Sequence, residues 1–191
     1  MFNQITKYVT KYTSAVPITP GPSDEFDRDE IVEGVKKLPD LNSGVVSFEK
    51  LPSEQEAAVS AIFFELIGKG IIDDILPIML GYRNKYDLYA YYKTKSNKKK
   101  FGIYEFKSHL RNLTKDFSEA RKVFDEMEYV ICWDVNDTDV AQLNNFGIGC
   151  DKVEKGTLHE YDIPSCVTHR LSIPNCNNVY VIDLKEIVSQ Q

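Results

Sequence analysis

Hydrophobic and polar positions change period along the chain, and the changes mark out its elements. The clearest stretch is "SEQEAAVSAIFFELIGKG", residues 53–70. Ser53 followed by Glu56 is a capping-box pattern, and apolar residues then cover most of a helix circumference. This predicts a largely buried helix that stops at Gly68 or Gly70. "IIDDILPIML" (71–80) is strand-like but interrupted by Pro77. "YDLYAYYKTK" (86–95) and "FGIYEFKSHL" (101–110) alternate as strands around the turn "SNKKK", so a hairpin is expected. "TKDFSEARKVFDEM" (114–127) predicts a helix capped by Thr114, with Phe117, Ala120, Val123, Phe124 and Met127 on its apolar face.

"YVICWDV" (129–135) reads as a buried strand and "DTDVAQLNNFG" (137–147) as a short helix ended by Gly147. The remainder reads as short strands followed by a terminal strand or helix in "NVYVIDLKEIV" (178–188). Upstream, "PITPGP" reads as a linker, "SDEFDRDEIVEGVKKL" (23–38) as a short helix with its dipole complemented, and "NSGVVSFEKL" (42–51) as a strand or a lead-in. The expected division is a linker and short helix over 1–45, then one α/β domain over 46–191. That domain would hold a mixed sheet flanked by helices, with a β-rich C-terminal extension.

Composition narrows the function classes. Hydrophobic residues form 42% of the 191, enough for one packed core. The net charge of −6 excludes a globally basic nucleic-acid binder, so any such role needs a local basic surface. No apolar run is long enough to span a bilayer and the N-terminus lacks a signal-peptide core, so a cytoplasmic chain with reduced cysteines and no membrane partner is expected.

The chemistry lies in "FGIYEFKSHL". Side chains alternate along a strand, so Glu105 and Lys107 share one face while Tyr104 and Phe106 take the core face beneath a helix. Folding the hairpin brings Asp87 beside Glu105, since adjacent strands run roughly 5 Å apart. Two close carboxylates call for a positive charge, and Asp and Glu oxygens suit Mg²⁺. Lys107 can then hold a water or stabilise charge building on a phosphate.

Asp87, a hairpin, then Glu105-Phe106-Lys107, between a leading and a following helix, resembles the PD-(D/E)xK nuclease superfamily over roughly residues 50–135. Tyr86 stands where the family's name has proline, which is not a ligand. The resemblance implies a restriction-endonuclease-like αβββαβ core and a metal-dependent endonuclease acting on nucleic acid, DNA ahead of RNA. Mg²⁺ or Mn²⁺ would sit on Asp87, Glu105 and the Phe106 carbonyl, with Lys107 orienting the water. The family's leading-helix acid would be Glu56, with Glu65 in reserve on the opposite helix face. The flanking text is also similar to nuclease-like domains appended to GHKL ATPases of bacterial defence proteins, which implies a defence role, an ATPase domain or partner protein, and a homodimer for double-strand cutting.

A basic run surrounds the motif in sequence: Lys93, Lys95, Lys98, Lys99, Lys100, Arg111, Lys115, Arg121 and Lys122, of which Lys98, Lys99, Lys100, Arg111 and Lys115 are the candidate phosphate contacts. His109 reads as a surface histidine at the strand end or as a substrate contact or general base, and Tyr86, Tyr89, Tyr91 and Tyr92 as residues that stack on bases or simply pack. Other readings stand beside the nuclease. One is that Glu105 and Lys107 form an ordinary solvent-facing pair on an amphipathic strand. Another is an inactive nuclease-fold module that binds nucleic acid or protein. A third is a zinc-bound adaptor built from Cys150, His159, Cys166, His169 and Cys176, although only Cys166 and His169 have ligand-like spacing. Cys132 is expected in the core.

Overall fold

Four residues of one helix, Val59, Ile62, Phe63 and Leu66, are fully buried. Each contributes roughly 1.5–3 kcal/mol relative to exposure, so together they outweigh the ~1 kcal/mol of a typical cap. They belong to α1 (Glu56–Gly68), whose N-cap Gln55 makes no side-chain capping bond. Packing therefore holds this helix, and Gly70, at φ +71°, turns the chain away from it. The structure is a computed structural model that describes residues 33, 45–46, 55–81, 85–94, 97–119, 124–154 and 162–191. The chain divides into Met1–Pro39 and Asp40–Gln191, and all described residues but Glu33 belong to the second unit. The expected linker, the helix over 23–38 apart from Glu33, the segment 42–51 apart from Val45 and Val46, and Ser53 lie outside the described residues.

The second unit is α/β, with a seven-stranded mixed sheet flanked by helices. After α1 come β1 (Ile75–Leu80), β2 (Leu88–Lys93) and β3 (Lys99–Lys107), each antiparallel to the last. Helix α2 (Asn112–Ser118) and a 3₁₀ turn (Phe124–Glu126) lead to β4 (Tyr129–Cys132), which is parallel to β3. Helix α3 (Asp137–Asn145), β5 (Gly149–Lys152), β6 (His169–Ser172), β7 (Val179–Asp183) and α4 (Leu184–Ser189) follow. Across the sheet the order is β1-β2-β3-β4-β7-β6-β5, with β4 and β7 parallel and the last two pairings antiparallel. Among the described residues no helix is long and apolar enough to cross a membrane.

Several elements depart from expectation for physical reasons. Pro77 does not break β1: the strand lies at the sheet edge, where a missing N–H is tolerated, and its register shifts between Pro77 and Met79. Helix α2 starts before Thr114, whose hydroxyl donates to the Arg111 carbonyl from inside the helix rather than capping it. The helix does not run to Met127. Residues 124–126 form a 3₁₀ turn, and Met127 packs in the core beyond it. The C-terminal segment is both strand and helix, because Asp183 ends β7 and accepts from the Glu186 N–H as the N-cap of α4.

Candidate active site

The end of β3 carries the predicted motif, with a difference in burial. Glu105 and Lys107 share a face as expected, and Phe106 points oppositely, its ring 5.6 Å from that of Phe63 on α1. The Glu105–Lys107 face is not open to solvent. Glu105 is 0% exposed and Lys107 4%, because that face of the sheet carries a second apolar cluster containing Leu110, Leu113, Val130 and Cys132. Burying an ammonium demands counter-charges. Lys107 Nζ has three: Glu105 Oε1 at 2.7 Å, Asp116 Oδ2 at 3.0 Å and Glu56 Oε1 at 3.1 Å. Burial alone would lower the Lys107 pKa. Glu105, by charge and hydrogen bond, then Glu56 and Asp116 outweigh it and hold the ammonium above its ordinary value. These three acids therefore favour the protonated form of Lys107.

Asp87 sits just before β2. The β2–β3 register pairs Leu88 with Tyr104, so the next step places Asp87 opposite Glu105. Its Oδ2 accepts from the Phe106 N–H at 2.9 Å, which ties the carboxylate to the strand bearing the other two motif residues. Glu56, the first residue of α1, reaches the same cluster, whereas Glu65 pairs with Lys69 at 2.8 Å. Glu56, Asp87 and Phe106 line one cleft of about 250 Å³ together with Ala57, Ser60 and Leu80. Asp116, on α2, joins the cluster without any sequence signal. A lone Asp nine residues after the motif matches nothing until α2 folds back over the end of β3.

The donors are all carboxylate oxygens, a set that suits a hard divalent cation. Three of them, however, converge on Lys107 Nζ. Among the described residues, the group whose ligand atoms all lie within 4.8 Å of one another is elsewhere: His169, Asp183 and Glu186. The lysine organises the acids at the end of β3.

The hairpin lysines lie away from this site, and Lys95, Arg121 and Lys122 lie outside the described residues. Lys98 precedes β3, and Lys99 and Lys100 begin it, so the nine-residue strand separates them from Lys107 by roughly 26 Å. Lys99 Nζ lies 4.1 Å from the Tyr91 ring centroid, and Lys100 pairs with Asp162 at 2.8 Å. Arg111 is held by the fully buried Asp139 at 2.8 Å. Lys115, on α2, is exposed beside the cluster. His109 follows β3 in a bend, half-buried. Tyr86 and Tyr92 are core residues, and Tyr86 donates its hydroxyl hydrogen to Glu126. Tyr89 and Tyr91 are half-buried against Phe101. Of the residues in the zinc reading, His159 lies outside the described residues. The four cysteines are free, and only His169 enters a ligand group.

No family model, curated protein or solved structure matches the chain.

Proposed function

We propose that the chain is a divalent-metal-dependent phosphodiesterase acting on nucleic acid, DNA ahead of RNA, with Asp87, Glu105 and Lys107 as its active residues. The observation that carries this reading is the placement of Lys107 Nζ, 2.7 Å from Glu105 and 3.1 Å from Glu56, on a strand end that Asp87 grips through the Phe106 amide. The element order α1-β1-β2-β3-α2-β4, with an antiparallel meander followed by a parallel strand, supports a restriction-endonuclease-like αβββαβ core. Asp87 and Glu105, with the Phe106 carbonyl, would hold Mg²⁺ or Mn²⁺. Bound there, the cation supplies a water of lowered pKa and positive charge for the pentacovalent phosphorus. Lys107 stays protonated and donates to the attacking water or to a phosphate oxygen. Glu56 and Asp116 keep its side chain aimed at that point.

A competing reading, an inactive module of the same architecture, has one observation in its favour. The three N–H donors of an ammonium match the three carboxylates around Lys107, so the lysine has its partners without a substrate. The deciding experiment is cleavage of plasmid and of single-stranded oligonucleotides by the full chain with Mg²⁺ or Mn²⁺. Wild type is compared with Asp87→Asn and Lys107→Ala. Metal-dependent cutting lost in both variants supports the enzyme. Absence of cutting by wild type across these substrates leaves the module.

A further inference from the structure

We infer that His169, Asp183 and Glu186 form a binding site for a divalent transition-metal cation of the Zn²⁺ or Mn²⁺ class, separate from the acids at the end of β3. A ring nitrogen of His169 and one oxygen from each carboxylate lie within 4.8 Å of one another. They come from three elements. His169 opens β6 opposite Val181 of β7, Asp183 lies two residues beyond Val181 on the same strand face, and Glu186 is on α4.

Each ligand is oriented by other groups. Asp183 is 4% exposed, and its two oxygens accept from the Val135 and Glu186 N–H groups, both at 2.9 Å. Such outer hydrogen bonds fix a ligating carboxylate while each oxygen keeps a further lone pair. The Thr168 hydroxyl donates its only hydrogen to the Val181 carbonyl at 3.1 Å and accepts from the Asp183 N–H at 3.0 Å. Its 3.0 Å contact with His169 Nδ1 suits the tautomer in which the ring donates there. In that tautomer Nε2 is the lone-pair donor of the ring. Lys152 and Gln190 both contact Oε1 of Glu186, at 3.0 and 3.2 Å, and neither contact uses Oε2.

Capping α4 accounts for Asp183 alone. It does not account for a histidine and a second carboxylate at the same point. One imidazole with two carboxylates favours Zn²⁺ or Mn²⁺ over Mg²⁺ or Ca²⁺, which select oxygen donors throughout. Glu186, alone of the three ligands, lines a cleft of about 570 Å³, together with Thr168 and Lys152. Three protein ligands leave a fourth tetrahedral position for a water or a ligand.

The test is calorimetric titration of Zn²⁺ into the EDTA-stripped full chain, with Co²⁺ absorption as a second readout. In the Asp87→Asn background, which removes a ligand of the cation proposed at the end of β3, one ion per chain is expected, with no thiolate-to-cobalt band. His169→Ala and Glu186→Gln should each weaken binding at least about tenfold. Glu186 is half-buried, its side chain 22% exposed, so its near-isosteric amide variant keeps the test valid if His169→Ala unfolds. Absence of saturable binding, binding that survives both substitutions, or a thiolate band that assigns the ion to cysteines would each overturn the site.

Discussion

Lys107 Nζ lies 2.7 Å from Glu105 Oε1, and the two side chains are 5% and 1% exposed. A pair this buried is weak evidence for net stability, but breaking it from one side strands a charge. Lys107→Ala should therefore cost about 3–5 kcal/mol in urea unfolding. Glu56→Ala removes a half-exposed partner of the same lysine and should cost under about 1 kcal/mol. Equal losses would contradict the burial difference.

Asp116 and Glu105 both hold Lys107, yet only Glu105 is proposed to act on the reacting phosphate through a cation. Glu105→Gln should lower metal-dependent cleavage roughly 10²–10³-fold, the scale of losing one stabilising charge at a reaction centre. Asp116→Asn should retain at least about a tenth of the wild-type rate, because it keeps the shape of a positioning group. Comparable losses would move Asp116 into the reacting site.

Gly102 faces the stacked rings of Tyr104 and Tyr129, whose centroids are 4.5 Å apart. A Cβ there would stand 2.9 Å from both Tyr104 Cε2 and Tyr129 Cε2. Gly102→Ala should destabilise the fold by about 1–3 kcal/mol through overpacking and should change the near-ultraviolet tyrosine dichroism. An unchanged urea midpoint would mean that the rings move apart freely.

Arg111 was a candidate phosphate contact, but it shares the buried carboxylate of Asp139 with the Leu110 amide. Arg111→Ala should lower stability by about 2–3 kcal/mol, discounted because the arginine is one-third exposed. Lys115→Ala, at an exposed position, should leave the urea midpoint within about 0.5 kcal/mol of wild type. Oligonucleotide binding by Arg111→Ala is then to be read only below its own unfolding midpoint.

Burial, with Asp151 adding to it, pushes the Cys150 thiol up to about 11. Its thiolate fraction at pH 8 is about one part in a thousand. Iodoacetamide labelling, followed by mass spectrometry, should be slow there and rise about tenfold per pH unit up to pH 11. A rate that levels off near pH 8.5 would show an ordinary, solvated thiol.

The hairpin of β2 and β3 was legible because both strands alternate cleanly and the turn between them is polar. The pairing of Asp87 with Glu105 followed from that register alone. Helix α1 was legible for the same local reason, and its first residue proved to be the acid that reaches Lys107. The length of α2 was not legible, since the apolar spacing of Phe124 and Met127 suits a helix as well as a 3₁₀ turn and the stretch after it. The hairpin lysines were adjacent to the motif in sequence but lie a full strand away in space.

By itself the sequence determined the periodicities, and with them the α/β class, the hairpin and the alternation that puts Glu105 and Lys107 on one face. Those properties depend on residues a few positions apart. The tertiary structure decided which face is covered, that Asp116 closes the ring of acids on Lys107, and that β6, β7 and α4 bring His169, Asp183 and Glu186 together. Such contacts join residues separated by loops and crossovers. Their geometry exists only once burial has chosen which elements pack against which.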